Sequence, residues 1–459
     1  MEVAGCAKIC KNTALEEKPR EGTLSPRDQK TVLRVAHSRA TFPNGKGMVD
    51  MMQLRFILLV SVALTLAFTA GPSAAQKHYD PGASDTEIKV GNIMPYSGPL
   101  SAYAQIGRTQ AAFFRMVNDH GGINGRKISF ISYDDAFSPP KTVEQARKLV
   151  EGDEVLFIFE SLGTPTNAAI QKYMNEKHVP HLFVATGASR FGDYKTFPWT
   201  MGWQPTYQTE GRIYARYILE HHPDGKIAVL YQNDDSGRDY LKGLKDGLGE
   251  AAAKRMIVAE ISYDLTEPTV DSKVVALKSS GADIFFDEAS PKFAAQAIKK
   301  AAEIGWKPTL ILANISNSVG AVLKPAGLEN SKGIISANYL KDPTDPSWKD
   351  DAAMKEWAAF MDQYFPDGDK SSTFNVYGYA TAQTLVRVLK QCGDDLTRAN
   401  IMKQAASLKD LELGVLLPGI KINTSEIDFN PIEQMQLSRF NGEYNELFGK
   451  PLSGEIGTQ

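Results

Sequence analysis

The chain has 459 residues, 42% of them hydrophobic, and a formal net charge of −3 at pH 7. This is the composition of a globular protein that is long enough for two or three domains. The near-neutral charge, together with the lack of a basic block in the main body of the sequence, argues against nucleic acid as a partner.

Residues 51–75 have the pattern of a secretory signal peptide. Arg55 supplies a positive charge, Phe56–Ala70 is an apolar run, and small residues follow up to Ala75. The apolar run is too short to span a bilayer stably, so a membrane anchor is the weaker alternative. We expect cleavage after Ala75 and export to the bacterial periplasm.

Residues 1–50 precede this segment and show no hydrophobic periodicity. Because a signal peptide acts from the N-terminus, we expect this stretch to be a mis-assigned or disordered extension. Once it is removed, Cys392 is the only cysteine, which excludes an intrachain disulfide bond.

From Thr86 onward, strand-like and helix-like segments alternate with short loops. Such alternation predicts parallel sheets that are covered by helices on both faces. The exported chain is too long for one sheet of this kind, so the sequence predicts an α/β fold of two doubly wound parallel-sheet lobes. The pattern breaks near Met201–Tyr207, near Ser336–Leu340 and at the late strand Gln434–Phe440, and these crossings would form a multi-strand hinge. The predicted lobe 1 is 76–205 plus 339–432, and the predicted lobe 2 is 206–338 plus 433–459.

Two consecutive strands each end in a turn that is rich in hydroxyl groups. The apolar run Leu156–Phe159 leads into Ser161–Thr166, and a helix follows. The next strand, His181–Ala185, leads into Thr186–Ser189. Neighbouring parallel strands end at the same edge of a sheet, where open α/β sheets bind ligands, and free N–H groups at a helix start attract anions. Together the turns predict a site for a small carboxylate, although either turn alone would be explained as a plain helix N-cap.

Sequence signatures of catalysis are missing. The chain contains no Gly-x-Ser-x-Gly, His-Glu-x-x-His or Cys-x-x-Cys motif and no P-loop. Its Gly-x-Gly-x-x-Ala string, Gly247–Ala252, lies at the end of a predicted helix, where a C-cap explains it better than a dinucleotide site. We therefore expect a binding protein that is not an enzyme and that needs no cofactor and no metal.

Several stretches together match a known family. They are Ile88–Gly91, Ser97–Pro99, Asn118–Gly125, Tyr133–Asp135, Ile227–Tyr231 and Tyr377–Ala380. On these residues the chain resembles the periplasmic leucine/isoleucine/valine-binding proteins of ABC importers, which have the type I periplasmic binding fold. The resemblance implies a monomer that captures a small amino acid or amino-acid-like carboxylate between its lobes. Its partners would be an ABC permease and the ATPase of that permease in the inner membrane.

The resemblance also implies positions for the ligand. Tyr103 would pack on the ligand side chain, with core packing as its alternative role, and Tyr207 would lie at the inner face of lobe 2. The two hydroxyl-rich turns would hold the ligand carboxylate, with one glycine acting through its backbone N–H only. The residues implied for this role are Gly163 (the backbone donor), Thr164, Gly187 and Ser189.

The sequence departs from the family where the ligand amine is held. Ser290 and Asn314 stand near the positions of the family's amine-binding tyrosine and glutamate. An ammonium group that is taken out of water requires a carboxylate or its equivalent, which Asp287 or Glu288 could supply. Otherwise the ligand would be an aromatic or other organic acid, an amide or a urea-like compound. Ser236, where many relatives carry tyrosine, also indicates a differently shaped pocket. A ligand sensor of the same fold is a further alternative.

Overall fold

The computed structural model describes residues 77–454. Contacts between residues divide the chain after Ala74, and the described residues all lie in the second unit, Ala75–Gln459. The predicted extension (1–50) and the predicted signal peptide (51–75) lie outside the described residues. None of the helices between residues 77 and 454 combines the length and the hydrophobicity that a bilayer crossing needs.

The strands follow the predicted alternation through most of the described chain. In chain order they are β1 (His78–Tyr79), β2 (Glu87–Met94), β3 (Lys127–Asp134), β4 (Phe157–Phe159), β5 (His181–Val184), β6 (Thr200–Gly202), β7 (Ile227–Gln232), β8 (Ile257–Tyr263), β9 (Ile284–Glu288), β10 (Thr309–Leu312), β11 (Ile335–Asn338), β12 (Asp395–Leu396), β13 (Gln434–Phe440), β14 (Asn445–Leu447) and β15 (Leu452–Ser453).

The α-helices lie between these strands. In chain order they are α1 (Ala104–Asp119), α2 (Pro139–Arg147), α3 (Thr164–Glu176), α4 (Tyr207–His221), α5 (Asp235–Leu248), α6 (Glu250–Met256), α7 (Asp271–Ser279), α8 (Pro291–Glu303), α9 (Lys324–Ala326), α10 (Leu328–Ser331), α11 (Ala352–Tyr364), α12 (Thr373–Cys392) and α13 (Arg398–Ala405). Short 3-10 or π segments occur at Ser101–Tyr103, Lys148–Gly152, Ser189–Gly192, Asn314–Ser316, Val319–Leu323 and Pro346–Trp348.

Five parallel strands form the first sheet, in the order β3-β2-β4-β5-β6. All three residues of β4 are fully buried. A parallel strand that is covered by helices on both faces has no polar side, which explains why this part of the sequence is continuously apolar. The carboxyl ends of β4 and β5 are neighbours in the sheet, and each leads into one of the two hydroxyl-rich turns.

The second sheet has the order β14-β13-β11-β10-β9-β7-β8, with β15 also paired to β13. Strands β7 to β11 pair in parallel, as the alternation predicts. Strand β13 has the bounds that the sequence predicts, but it runs antiparallel to β11, so one edge of the sheet is mixed. No short local connection sets this direction, because residues 339–433, which contain α11, α12 and α13, lie between β11 and β13.

The chain passes between the two sheets after β6, after β11 and before β13. After β11 it returns to the first sheet, where α12 packs along α1. Gly378 permits this approach, since a Cβ there would lie 2.7 Å from the Ile106 carbonyl oxygen. Several passages between two bodies favour hinge bending over free rotation. The lobe limits stay a prediction, because the contacts divide the chain only after Ala74.

Candidate ligand-binding site

A cavity lies between the two sheets, at the carboxyl ends of their strands. It encloses about 820 Å³ of space not occupied by atoms, its open mouth included. We call it the central cavity. Both sheets and the segments that connect them line it, through Leu100, Tyr103, Ile106, Phe137, Leu162, Gly163, Thr164, Ala185, Gln204, Tyr207, Gln232, Ser236, Ser290, Asn314, Ile315, Asn317, Asn338, Tyr339, Leu340, Thr373, Phe374 and Tyr377.

Gly163 lines the central cavity and immediately precedes α3. Its φ angle is +106°, and a Cβ there would lie 2.2 Å from the Phe137 ring, so a larger residue is excluded. The Gly163 N–H donates to the Ala185 carbonyl at 3.2 Å and is therefore not free for a ligand. In this structure Gly163 shapes the turn and its N–H bonds within the protein, so its predicted role as a backbone donor to the ligand stays a prediction.

Helix α3 begins at Thr164 rather than at Asn167, so the hydroxyl-rich turn is shorter than the sequence predicts. Proline is tolerated in the first helical turn, where its missing N–H is not needed, and Pro165 occupies that place. As the first helical residue, Thr164 has a backbone N–H with no acceptor within the helix. Thr164 lines the cavity, and N–H groups at a helix start favour an anion.

A chain of hydroxyl groups leads from Thr164 to Tyr207. The hydroxyl oxygens of Thr164 and Thr186 are 2.6 Å apart, and Thr186 donates to the Tyr207 hydroxyl at 3.3 Å. Each hydroxyl has one proton, so Thr164 donates to Thr186, and the proton of Tyr207 remains for the cavity. Burial raises the pKa of Tyr207, which keeps it a donor at neutral pH.

Gly187 and Ser189 follow β5 but do not line the central cavity. A Cβ at Gly187 would lie 2.7 Å from the Tyr207 ring, so this glycine makes room for Tyr207. The Ser189 N–H donates to Asp239 in α5 at 2.6 Å, and the Ser189 hydroxyl donates to the same carboxylate at 3.2 Å. In this structure these donors hold a carboxylate of the protein, and the predicted contact of Gly187 and Ser189 with the ligand stays a prediction.

Aromatic and aliphatic side chains cover the part of the cavity next to the first sheet. Tyr103 is 8% exposed, and its ring centroid lies 5.0 Å from that of Phe374. The Tyr103 hydroxyl donates to the Ile315 carbonyl at 3.1 Å, which connects this side to the second sheet. Tyr103 thus packs in the core and also lines the cavity, and its predicted contact with the ligand side chain stays a prediction.

Ser290 and Asn314 line the cavity from the second sheet, whereas Asp287 and Glu288 do not. Asp287 Oδ1 accepts a backbone N–H at 3.1 Å, and Oδ2 has no hydrogen-bond partner among the described residues. Glu288 Oε2 accepts the N–H of Gln232 at 2.8 Å. Burial raises the pKa of both carboxyl groups well above their ordinary values. Neither group is placed to pair with a ligand ammonium.

Sequence reasoning missed several polar residues of the cavity. Gln204 and Asn338 lie where the chain passes between the sheets, and Asn317 follows a 3-10 turn after β10. Amide side chains occur in many loops, and only the sheet order shows which loops meet. The position of two of these residues at strand ends could have indicated that they line the site, because Gln232 and Asn338 are the last residues of β7 and β11.

The central cavity is uncharged where a ligand would touch it, since no Asp, Glu, Lys, Arg or His lines it. Carboxyl groups lie behind its walls. Glu210 accepts hydrogen bonds from the hydroxyls of Tyr214 and Tyr240 and from the Asn314 N–H. Burial raises the pKa of Glu210 to about 7 despite these donors, and it also raises the pKa of Glu160. Among residues 77–454, no cluster of three or more His, Cys, Asp or Glu could hold a metal ion.

The sequence of this two-sheet protein matches a known family over most of its length. A family model described as "Periplasmic binding protein" matches residues 87–444. The chain belongs to this family. Membership confirms the resemblance, the α/β fold class and the general function predicted from the sequence, that of a periplasmic binding protein of the ABC importer type.

Similar proteins include periplasmic binding proteins with different solutes in their names. Leu/Ile/Val-binding protein homolog 1 of Brucella abortus is 26% identical over 342 residues, covering 72% of this chain and 85% of the relative. The structure of a branched-chain amino acid ABC transporter from Thermus thermophilus with bound valine has a TM-score of 0.72 at 14% identity, covering 81% of this chain and 97% of that chain. A solute-binding protein from Rhodopseudomonas palustris in complex with 3,4-dihydroxybenzoic acid has a TM-score of 0.67 at 22% identity, covering 81% and 98%. At these identities the two structures establish the fold and not the solute.

Proposed function

We propose that the protein captures a small organic carboxylate in the central cavity and delivers it to an ABC importer. The observation that carries this proposal is the pair of donors at Thr164 and Tyr207, one a helix-start N–H and the other a hydroxyl whose proton is free. A carboxylate that accepts such donors makes charge-assisted hydrogen bonds, which are stronger than those of a neutral group.

Two kinds of solute fit these donors. An amino acid or amino-acid-like carboxylate would place its side chain against the apolar surface around Tyr103 and Phe374. An aromatic or other organic acid would use the same surface and needs no partner for an ammonium group. The specific observation in favour of the second kind is that no charged residue lines the cavity. Amides and urea-like compounds would use the cavity without its preference for an anion.

The two lobes would close around the solute. The hydrogen bond from Tyr103 to the Ile315 carbonyl and the bonds from Ser189 to Asp239 already join the two sides. A solute that touches both sides binds the closed arrangement better than an open one and shifts the population toward it. The closed arrangement is the form that a permease would recognise.

The proposed place of action is the periplasm, which the protein would reach through a signal peptide at residues 51–75. The proposed working form is a monomer, with the permease and its ATPase in the inner membrane as partners. Membership of the periplasmic binding protein family supports these proposals. A ligand sensor of the same fold is the alternative of another class, and adjacent permease and ATPase genes would favour transport over it.

Thermal-shift screening followed by calorimetry tests the proposed function. The purified protein is screened against amino acids, aromatic acids, aliphatic acids and the primary amides of the same acids, because binding to the folded state raises the melting temperature by mass action. We expect at least one carboxylate to stabilise the protein and its amide to bind more weakly. Binding of amides with no binding of any carboxylate would contradict the proposal.

A further inference from the structure

We infer that the solute carries, besides its carboxylate, an uncharged hydrogen-bond donor such as a hydroxyl or an amide N–H, which the second-sheet side of the central cavity receives. This inference rests on the proposed function and specifies the chemical class of the solute. It comes from the direction of the hydrogen bonds at three lining residues, Ser236, Ser290 and Asn317. We call these three residues the acceptor wall.

Ser236, in the first turn of α5, donates its only proton away from the cavity. Its hydroxyl donates to Asp234 Oδ1 at 2.5 Å, and its backbone N–H donates to the same oxygen at 2.8 Å. An ionised carboxylate accepts and does not donate, so the direction of both bonds is fixed. The Ser236 hydroxyl oxygen is left with lone pairs, which can only accept a hydrogen bond from a ligand.

The direction of the hydrogen bond made by the Ser290 hydroxyl is also fixed, in this case by Tyr263. Gln232 Nε2 donates to Asp234 at 2.6 Å, which turns Gln232 Oε1 toward Tyr263, and the Tyr263 hydroxyl donates to that oxygen at 3.1 Å. Tyr263 has one proton. The contact of 3.1 Å between the Tyr263 and Ser290 hydroxyls is therefore donated by Ser290, whose oxygen also presents only lone pairs.

The amide of Asn317 completes the acceptor wall. Asn317 Nδ2 donates to Asn338 Oδ1 at 2.8 Å, to the Ser336 hydroxyl at 3.0 Å and to the Ala337 carbonyl at 3.4 Å. A backbone carbonyl only accepts, so the amide cannot be reversed. Asn317 Oδ1 has no partner among the described residues. Asn314 beside it is oriented by the same Ala337 carbonyl at 2.7 Å, and its Oδ1 is also without a partner there.

Buried acceptors without a donor are unfavourable, so a solute that brings donors to this wall is preferred over one of the same shape without them. An ammonium group would bring donors together with a charge. Asp287 and Glu288 lie outside the lining of the cavity, and an ammonium that is taken out of water without a paired carboxylate is strongly disfavoured. The donor that this wall selects is therefore uncharged.

Calorimetric titration of the purified protein with two matched series of carboxylates tests the inference. The aromatic series is 4-methylbenzoate, 4-hydroxybenzoate, 4-carbamoylbenzoate and 4-(aminomethyl)benzoate, and the aliphatic series is hexanoate, 5-hydroxypentanoate and 5-aminopentanoate. In at least one series we expect the hydroxyl or amide member to bind about tenfold more tightly than the methyl member. We expect the ammonium member to bind more weakly than the hydroxyl member.

The outcomes separate the inference from the proposed function. Equal affinity of methyl and hydroxyl members, or tightest binding of an ammonium member, would overturn the inference and leave carboxylate capture intact. Failure of every carboxylate in both series and in the wider screen would overturn the proposed function, and the inference with it.

Ser236→Ala and Ser290→Ala test the assigned residues. Each removes one acceptor and should reduce the preference for the hydroxyl over the methyl member several-fold. The matched control is Ser280→Ala, whose hydroxyl donates to the Leu277 carbonyl away from the cavity. An unchanged preference in both folded variants would overturn the role of the acceptor wall. The wild-type series decides the inference by itself if a variant fails to fold.

Discussion

The two sides of the central cavity use the same kinds of polar group in opposite senses. On one side, Thr164 donates to Thr186 and Thr186 donates to Tyr207, so the proton of Tyr207 remains for the cavity. On the second-sheet side, Ser236 and Ser290 donate away from it and present oxygen lone pairs. Hydroxyl groups are chemically alike, so the difference comes from their hydrogen-bond partners. On one side the last acceptor is the Tyr207 hydroxyl. On the other side the acceptors are the Asp234 carboxylate and the Tyr263 hydroxyl, which the Gln232 amide orients.

Carboxyl groups are buried behind both walls of the central cavity. Glu210, Asp287 and Glu288 are fully buried near the second-sheet side, where they bond to the backbone of Asn314 or of neighbouring residues. Burial raises the pKa of all three. Any fraction of them that ionises repels a solute anion, and the same holds for Glu160, which is buried next to the first sheet.

The largest expected effect is that of a substitution at Gly163, which lines the central cavity next to the first sheet. Gly163→Ala combines a φ angle of +106° with a Cβ only 2.2 Å from the Phe137 ring. We expect urea denaturation to show a loss of at least about 3 kcal/mol in the free energy of unfolding, and calorimetry to show loss of binding.

Gly125→Ala is the matched control for this variant. Its φ angle is +82°, and a Cβ there would meet nothing within 4 Å. We expect about 1 kcal/mol of destabilisation from backbone strain alone. Equal losses in the two variants would show that the contact with Phe137 is not the cause.

The second prediction concerns the buried carboxyl groups and the pH dependence of stability. The pKa of Glu210 is about 7 in the folded protein against an ordinary value of 4.5, so the folded state holds this proton more tightly than the unfolded state. The free energy of unfolding should therefore fall as the pH rises from about 4.5 to about 7, by on the order of 3 kcal/mol from this group. The pKa values of Asp287 and Glu288 are also raised in the folded protein, so these groups too lower the free energy of unfolding as the pH rises.

Glu210→Gln should remove the part of the fall that belongs to Glu210. Denaturant titrations of the wild type and the variant across this pH range measure it, and Glu176→Gln in an exposed salt bridge is the control. A variant that keeps the full wild-type slope would show that Glu210 does not hold the proton.

The third prediction concerns the chain of hydroxyls. The variant Thr164→Val lacks the hydroxyl group that donates to Thr186, although the backbone N–H at this position remains. We expect the affinity for the carboxylate to fall about five- to tenfold, with little change for the corresponding amide. Thr196→Val, at an exposed position outside the cavity, is the control. Equal weakening for carboxylate and amide would show that the hydroxyl chain does not serve the anion.

The smallest expected effect is that of Ser189→Ala. Because the hydroxyl of Ser189 bonds to Asp239 and the residue does not line the cavity, we expect the affinity to change by less than about twofold. Calorimetry under the conditions used for Thr164→Val measures it. A loss of affinity as large as that of Thr164→Val would show that Ser189 contributes to ligand binding.

The fold could be predicted from the sequence because its signals are local and repeated. Strands Glu87–Met94 and Gln434–Phe440 have the predicted bounds, since an apolar run between turn residues is enough to define a strand. The antiparallel direction of the late strand could not be predicted, because pairing depends on where the chain returns from the first sheet.

The site could be predicted only in part. Tyr103, Gly163, Thr164, Tyr207, Ser290 and Asn314 line the central cavity, because strand ends and hinge segments meet there in this kind of fold. The sequence could not show that the N–H of Gly163 is taken by Ala185, or that Ser189 faces Asp239. Both depend on which acceptor the fold places opposite a donor, and residue type does not specify that.

The most direct test of the opposed walls is a crystal structure of the protein with the tightest-binding carboxylate from the matched series. We expect carboxylate oxygens at about 3 Å from the Thr164 nitrogen and the Tyr207 hydroxyl, with the uncharged donor of the solute against Ser236 or Ser290. A carboxylate bound against Ser236, Ser290 and Asn317 instead would contradict it.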